Sequence, residues 1–288
     1  MNRTSLYKTY KYLVIMLFFV YSCEDVIEVD IPSDPPRLVI DALVRVNVNE
    51  NFTNVVVKVS ETSSFFESIP IATLDQITLT NIDNPPSGNE AILFEDSPGV
   101  YSRSFPTEEL MTDNYVLQIN YNGEIFLAFS QFEAAPEINS IIQGDATLFD
   151  DDDIEVIVNY TDIPEEENFY LFDFDFDEFL ATEDTFYQDQ EFEFSYFYDE
   201  PLEIGTEVEV SILGINEDFY NYMNLLIDQS GQQDVGVFAT PSVTVRGNFI
   251  NATNIDNIDN FDNVDQSDNF ALGYFAIVQE NKSSFIVQ

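Results

Sequence analysis

Nearly every side chain able to do chemistry in this 288-residue sequence is a carboxylate: 54 Asp and Glu stand against 9 Lys and Arg, one cysteine and no histidine. Without histidine, acid–base work would fall to carboxylates, tyrosines or a lysine. A Ser-His-Asp triad cannot be assembled, and beyond the N-terminal segment that carries Lys8 and Lys11 a Ser-Lys dyad has only Lys58 and Lys282 to draw on. Neither a G-x-S-x-G elbow nor a G-x-x-x-x-G-K-S/T phosphate loop occurs. A paired-carboxylate glycosidase survives this elimination, yet with acids along the whole chain no single pair stands out. The expectation is a non-enzymatic protein with no catalytic and no cofactor-binding residues.

The same carboxylates could hold a metal. Zinc would want histidine and cysteine, whereas calcium takes oxygens, which are in excess here. Asp173-Phe174-Asp175-Phe176-Asp177-Glu178 offers D-x-D-x-D, but an EF-hand needs glycine where Glu178 stands. Strict Phe/Asp alternation reads better as a strand with one apolar and one wet face. Residues 254–265 repeat Asn, an apolar residue and Asp with a period of three, placing Asp256, Asp259, Asp262 and Asp265 in step. That period fits neither a strand nor a helix face. Two readings stay open: a flexible surface loop, or a loop ordered by Ca2+ on those four carboxylates. The Asp150–Asp153 run reads as an exposed turn. Phe186, Tyr187, Phe192, Phe194, Tyr196, Phe197 and Tyr198 cluster around one strand, as a stacking surface for sugars or peptides or, more simply, as core.

The lone cysteine has a different context. Arg3, Lys8 and Lys11 lead into an apolar run from Leu13 to Val20, then Ser22 and Cys23. A charged start, a short apolar segment and a small residue at the cut make a secretory signal, too short for a permanent membrane span. An unpaired cysteine in an exported chain has no disulfide to form. Val20-Tyr21-Ser22-Cys23 resembles a lipobox, although Tyr21 is bulkier than usual, so residues 1–22 read as a signal cut before an acylated Cys23. An ordinary signal with an incidental cysteine is the alternative. Glu24 and Asp25 resemble the acidic export signal that sends Bacteroidota lipoproteins to the outer face of the outer membrane.

Three of the nine basic residues precede Cys23, whereas all 54 acids follow it. So acidic a chain repels phosphate backbones, which argues against nucleic acid, and it repels anionic head groups, which leaves membrane attachment to lipid. Yet hydrophobic residues make up 45% and aromatics 15%, enough to fill real cores.

The elements that must position these groups are mostly strands. Residues 23–36 read as an acidic, proline-containing tether. From Leu38 the sequence alternates, with Ile40, Ala42, Val44 and Val46 on the same face. Further strands are predicted at Val55–Ser60, Gln76–Thr80, Ala91–Glu95 and Val100–Phe105, and Asn122-Gly123 marks a type I′ hairpin between Tyr115–Tyr121 and Glu124–Phe129. An immunoglobulin-like β-sandwich over 37–133 is expected, closed by a boundary at Ala134-Ala135-Pro136. A larger β-rich domain over 134–288 follows. Its strands are predicted at Ile154–Tyr160, Phe169–Phe179, Glu191–Tyr198, Thr206–Leu213, Ser242–Ile250, Ala271–Gln279 and Ser283–Val287. One helix near 217–230, capped by Asn216 and closed by Gly231, should pack through Phe219, Tyr222, Met223 and Leu226. An acidic Asn/Asp loop occupies 254–268.

Several of these features together resemble one family, the exported Bacteroidota lipoproteins that carry the domain of unknown function 4249. Pro36-Arg37-Leu38-Val39-Ile40 follows the lipobox closely. Gly99-Val100-Tyr101 and Asn114-Tyr115-Val116-Leu117-Gln118-Ile119 are similar to the family's first-sandwich run. Thr240-Pro241-Ser242-Val243, Gly247-Asn248-Phe249-Ile250 and Leu272-Gly273-Tyr274-Phe275 are similar to its closing pattern, with 254–268 as an insertion. The resemblance implies an accessory role beside a TonB-dependent β-barrel receptor in nutrient uptake, and no catalytic or binding residues carry over from it. The rival expectations are a calcium-stabilised surface adhesion or structural lipoprotein and, last, a carboxylate-based hydrolase.

Overall fold

The computed structural model describes residues 35–64, 67–84, 91–147, 154–164, 167–185, 189–198, 201–230, 244–257 and 267–288, and strands dominate them. The fold is mainly β and sandwich-like, as the alternation predicts. One layer of the first sandwich holds β1 (Leu38–Val46), β2 (Phe52–Glu61), β5 (Phe94–Ser97) and β6 (Val100–Pro106). The other holds β3 (Gln76–Asn81), β4 (Ala91–Ile92), β7 (Tyr115–Tyr121), β8 (Glu124–Ser130) and β16 (Ile250–Asn251). β1 buries Leu38, Ile40, Ala42, Val44 and Val46, against Ile77, Leu79, Leu117 and Ile119 from the opposite layer. Each fully buried Leu, Ile or Val side chain contributes about 1.5–3 kcal/mol. The β7–β8 turn is left-handed at both Asn122 (φ 52) and Gly123 (φ 81), as a type I′ hairpin requires.

The second sandwich sets β10 (Glu137–Gln143), β11 (Glu155–Thr161) and β14 (Glu191–Phe197) against β12 (Phe169–Asp173), β13 (Phe179–Glu183) and β15 (Glu207–Ile215). The helix Glu217–Ser230 covers the outer face of β12, β13 and β15. Asn216 caps it, its side-chain oxygen accepting from the Phe219 amide at 2.9 Å. Phe219 and Ile227 are buried and Tyr222 and Met223 pack beside them, while Leu226 stays at the exposed rim. The buried stripe therefore continues to Ile227 rather than to Leu226.

The largest departure from expectation is the last strand. Ala271–Gln279 and Ser283–Val287 are not two strands but one, β17 (Leu272–Ile286). Its first half runs parallel to β1, from Val39↔Leu272 to Val46↔Gln279, and its second half runs antiparallel to β15, from Leu213↔Glu280 to Glu207↔Ile286. A nine-stranded sheet thus passes through both sandwiches. Beside β17 lies the short strand β9 (Phe132–Glu133). The chain does leave the first sandwich near Ala134, but Phe249, Ala271, Phe275 and Ile277 return to its core, and residues 36–288 form one compact unit. Residues from beyond 134 therefore complete the core of the first sandwich. Gly273 makes the return feasible: its φ is +102, and a β-carbon there would lie 1.8 Å from the Ile40 carbonyl oxygen.

Two further strand predictions fail locally. Phe169–Phe179 is not continuous, because Asp175, Phe176 and Asp177 all take positive φ (69, 51 and 63) and reverse the chain. The Asp173 carboxylate accepts from the Asp175 amide at 3.1 Å, the side-chain-to-backbone bond by which aspartate favours turns over strands. Of Ser242–Ile250, residues 244–249 are not strand and pairing begins only at Ile250; 242 and 243 lie outside the described residues. The short helix Thr107–Thr112 and the strand β10 carry no periodicity long enough to betray them.

Candidate functional site

Cys23, Glu24, Asp25, Asp259, Asp262 and Asp265 lie outside the described residues, as do Phe186, Tyr187 and Gly231. Asp256, the one described member of the repeat, is exposed. Past the repeat the chain is fastened by scarce cations. Arg37 and Arg246 stack on the Phe270 ring at 4.0 and 3.5 Å and donate to the carbonyls of Asp268 and Ser267.

The acids of the 173–178 turn do not converge on a common point. Asp173 turns to Arg45 at 2.7 Å, and Glu178 points inward to accept from the Tyr196 hydroxyl at 2.6 Å. Among the described residues no group of three or more His, Cys, Asp or Glu is arranged to hold a metal. The aromatics beside this turn are interior: Phe174 and Tyr196 stack 3.7 Å apart, and the Tyr198 hydroxyl donates to the Phe174 carbonyl at 2.7 Å. Phe192 and Phe194 pack against the same core.

The arrangement with chemical content is one the sequence does not mark. Backbone pairing sets Tyr170 opposite Thr182 and Phe172 opposite Leu180. By strand alternation Asn168, Tyr170, Thr182 and Asp184 all face the interior of the second sandwich, where Asp162 enters from the end of β11. Among the described residues of this sandwich four acids are buried: Glu155, Asp162, Glu178 and Asp184. Three have donors. Ser195 and the Ala146 amide serve Glu155, Tyr196 serves Glu178, and Tyr170 (2.5 Å) and the Asp189 amide (3.0 Å) serve Asp162. Asp184 has none for either oxygen, although it is 0% exposed. The buried Oδ1 of Asn168 and Oγ1 of Thr182 also lack partners. Burial pushes the Asp184 carboxyl up, against a pull from the Asn168 backbone, and the charges of Asp162 and Glu167, with a carboxyl–carboxylate hydrogen bond to Asp162, add to the rise. Such a site can hold a proton or a cation. It presents no surface on which a substrate could rest.

Elsewhere a cleft of about 510 Å3 opens between β10 and the end of β17, lined by Ile141, Ile142, Gln143, Phe285 and Ile286.

Residues 24–284 match the family model described as Domain of unknown function (DUF4249). The chain belongs to that family. No curated protein matches it. Two DUF4249-like motifs quoted above acquire a structural meaning. A β-carbon on Gly247 would lie 1.5 Å from the Gly273 carbonyl oxygen, so the "GN" and "LGYF" segments meet backbone to backbone. Asn248 then bonds both main-chain groups of Phe275.

Proposed function

We propose that this chain is a lipid-anchored outer-membrane protein, facing the cell exterior, that binds a partner or nutrient for a TonB-dependent receptor and catalyses nothing. The observation that carries the reading is the sequence Val20-Tyr21-Ser22-Cys23 placed directly before the family match. The family match, 24–284, lies wholly within the part that would remain once the signal is cut before Cys23, residues 23–288. Acyl chains on Cys23 would hold the folded body at the membrane, each buried CH2 worth about 0.8 kcal/mol. No helix among the described residues is long and apolar enough to cross a membrane, so attachment falls to that anchor in this reading. The absence of histidine and the commitment of the one cysteine to lipid favour binding over catalysis.

The test is affinity purification of the tagged protein from detergent-solubilised outer membranes, with Cys23→Ala as the control. A stoichiometric β-barrel receptor recovered only with the acylated protein is the expected result. Recovery of an acylated protein with no receptor would sink the transport role and leave a free-standing surface lipoprotein.

A further inference from the structure

We propose that Asp184 and Asp162, with the side-chain oxygens of Asn168 and Thr182, form a binding site for one Ca2+ ion inside the second sandwich. A polar atom removed from water needs a partner, and in folded interiors the great majority have one. Here the two Asp184 oxygens, the Asn168 Oδ1 and the Thr182 Oγ1 have none, all on one face at one end of one hairpin. The unpaired carboxylate is fully buried, and it faces the same interior as Asp162 rather than solvent.

A shared proton is the competing account. One proton can bridge Asp162 and Asp184, but it satisfies a single pair of oxygens and leaves the second Asp184 oxygen, Asn168 and Thr182 as they are. Asp162 already accepts from the Tyr170 hydroxyl and from the Asp189 amide, so its oxygens are partly occupied before any proton is shared. A divalent cation addresses every unpartnered oxygen at once and neutralises both charges. An all-oxygen set of carboxylate, amide and hydroxyl groups suits a hard cation. Mg2+ would have to keep several waters in a strict octahedron, whereas Ca2+ accepts an irregular shell, so the buried setting favours calcium. This site shares no residue with the Asp256–Asp265 repeat and does not depend on the anchor or the receptor.

The experiment uses the full-length chain in detergent, stripped with EGTA and titrated with CaCl2 by calorimetry and thermal unfolding. Tb3+ serves as a luminescent substitute; the chain has no tryptophan, so Tyr170, bonded to Asp162, would be the sensitiser beside the ion. The wild type should bind Ca2+ at this site and melt about 5 °C or more higher with it. Asp184→Asn should bind at least tenfold more weakly, lose the calcium-dependent rise, and melt no lower than wild type in EGTA, because a neutral amide replaces the uncompensated charge. Thr182→Val removes one ligand oxygen at nearly constant volume and should weaken binding several-fold, which keeps the test decisive if the Asn variant does not fold. Equal calcium responses in wild type and both variants would place the ion elsewhere, and no calcium response in the wild type would leave a shared proton. Either result overturns the proposal.

Discussion

The side chain of Asn248 pairs with the backbone of Phe275 as a neighbouring strand would: its Nδ2 donates to the Phe275 carbonyl at 2.8 Å and its Oδ1 accepts the Phe275 amide at 2.9 Å. β17 meets β1 on one side and needs partners on the other. Asn248, the Ser130 hydroxyl on the Ile277 amide (2.9 Å), and β9 supply them in turn. Replacing Asn248 by Ala would leave two main-chain groups without partners, and each such loss costs about 1–3 kcal/mol. Urea unfolding of Asn248→Ala should therefore show a loss of about 2–4 kcal/mol. Asn248→Asp, which keeps the acceptor and sets an anion against the carbonyl, should be at least as damaging. A loss under about 0.5 kcal/mol for both would mean that water replaces the amide.

Arg45 ties the two sandwiches together. From β1 it reaches Asp173 at the end of β12 (2.7 Å) and Glu280 on β17 (2.9 Å), and Ser211 also donates to Glu280 (2.9 Å). Its side chain keeps 34% exposure, so solvent screens part of the interaction. Arg45→Ala should cost about 2 kcal/mol, because two acids that already sit in a strongly negative protein lose their counter-ion. Arg45→Lys should recover less than half, since one ammonium lacks the guanidinium fork that spans both carboxylates. Unfolding curves at low and high salt test this. An Arg45→Ala stability equal to wild type at low salt would remove the tie.

Alkaline pH should unfold the protein through its tyrosines. Burial pushes Tyr115, Tyr121 and Tyr222 up to about 12, helped at Tyr121 by its bond to Glu61. Tyr170, Tyr198 and Tyr274 are pushed up further, again chiefly by burial. A phenol raised in the folded state but ionising near 10 when unfolded contributes stability that is whole below pH 10 and lost as pH climbs through the folded value. Absorbance titration followed with circular dichroism should show a late group of phenols appearing at about 12, together with loss of β signal. Ionisation of Tyr115, Tyr121 and Tyr222 near 10 with the fold intact would refute it.

Strand alternation along Leu38–Val46, the Asn122-Gly123 turn, and the capped helix after Asn216 were all open to reading from sequence, because each is set by local geometry. The mainly β class follows from the same signals. The family, too, is carried by short motifs in order along the chain. Where the sequence misled, a local preference hid inside a periodic pattern: Asp173 to Asp177 alternate like a strand, but aspartates bond to their own backbone and adopt positive φ, so the chain turns there. Partner choice was beyond any local signal. Nothing in Leu272–Ile286 states that its first half pairs with β1 and its second with β15, since pairing depends on strands more than 60 residues away (Leu213↔Glu280) or more than 230 away (Val39↔Leu272). Asp184 is the same lesson for the site. Among 54 acidic residues nothing local distinguishes it, and only the closing of two sheets removed it from water without a donor. Sequence determined which residues could line an interior; tertiary structure decided which carboxylate was left there without a partner.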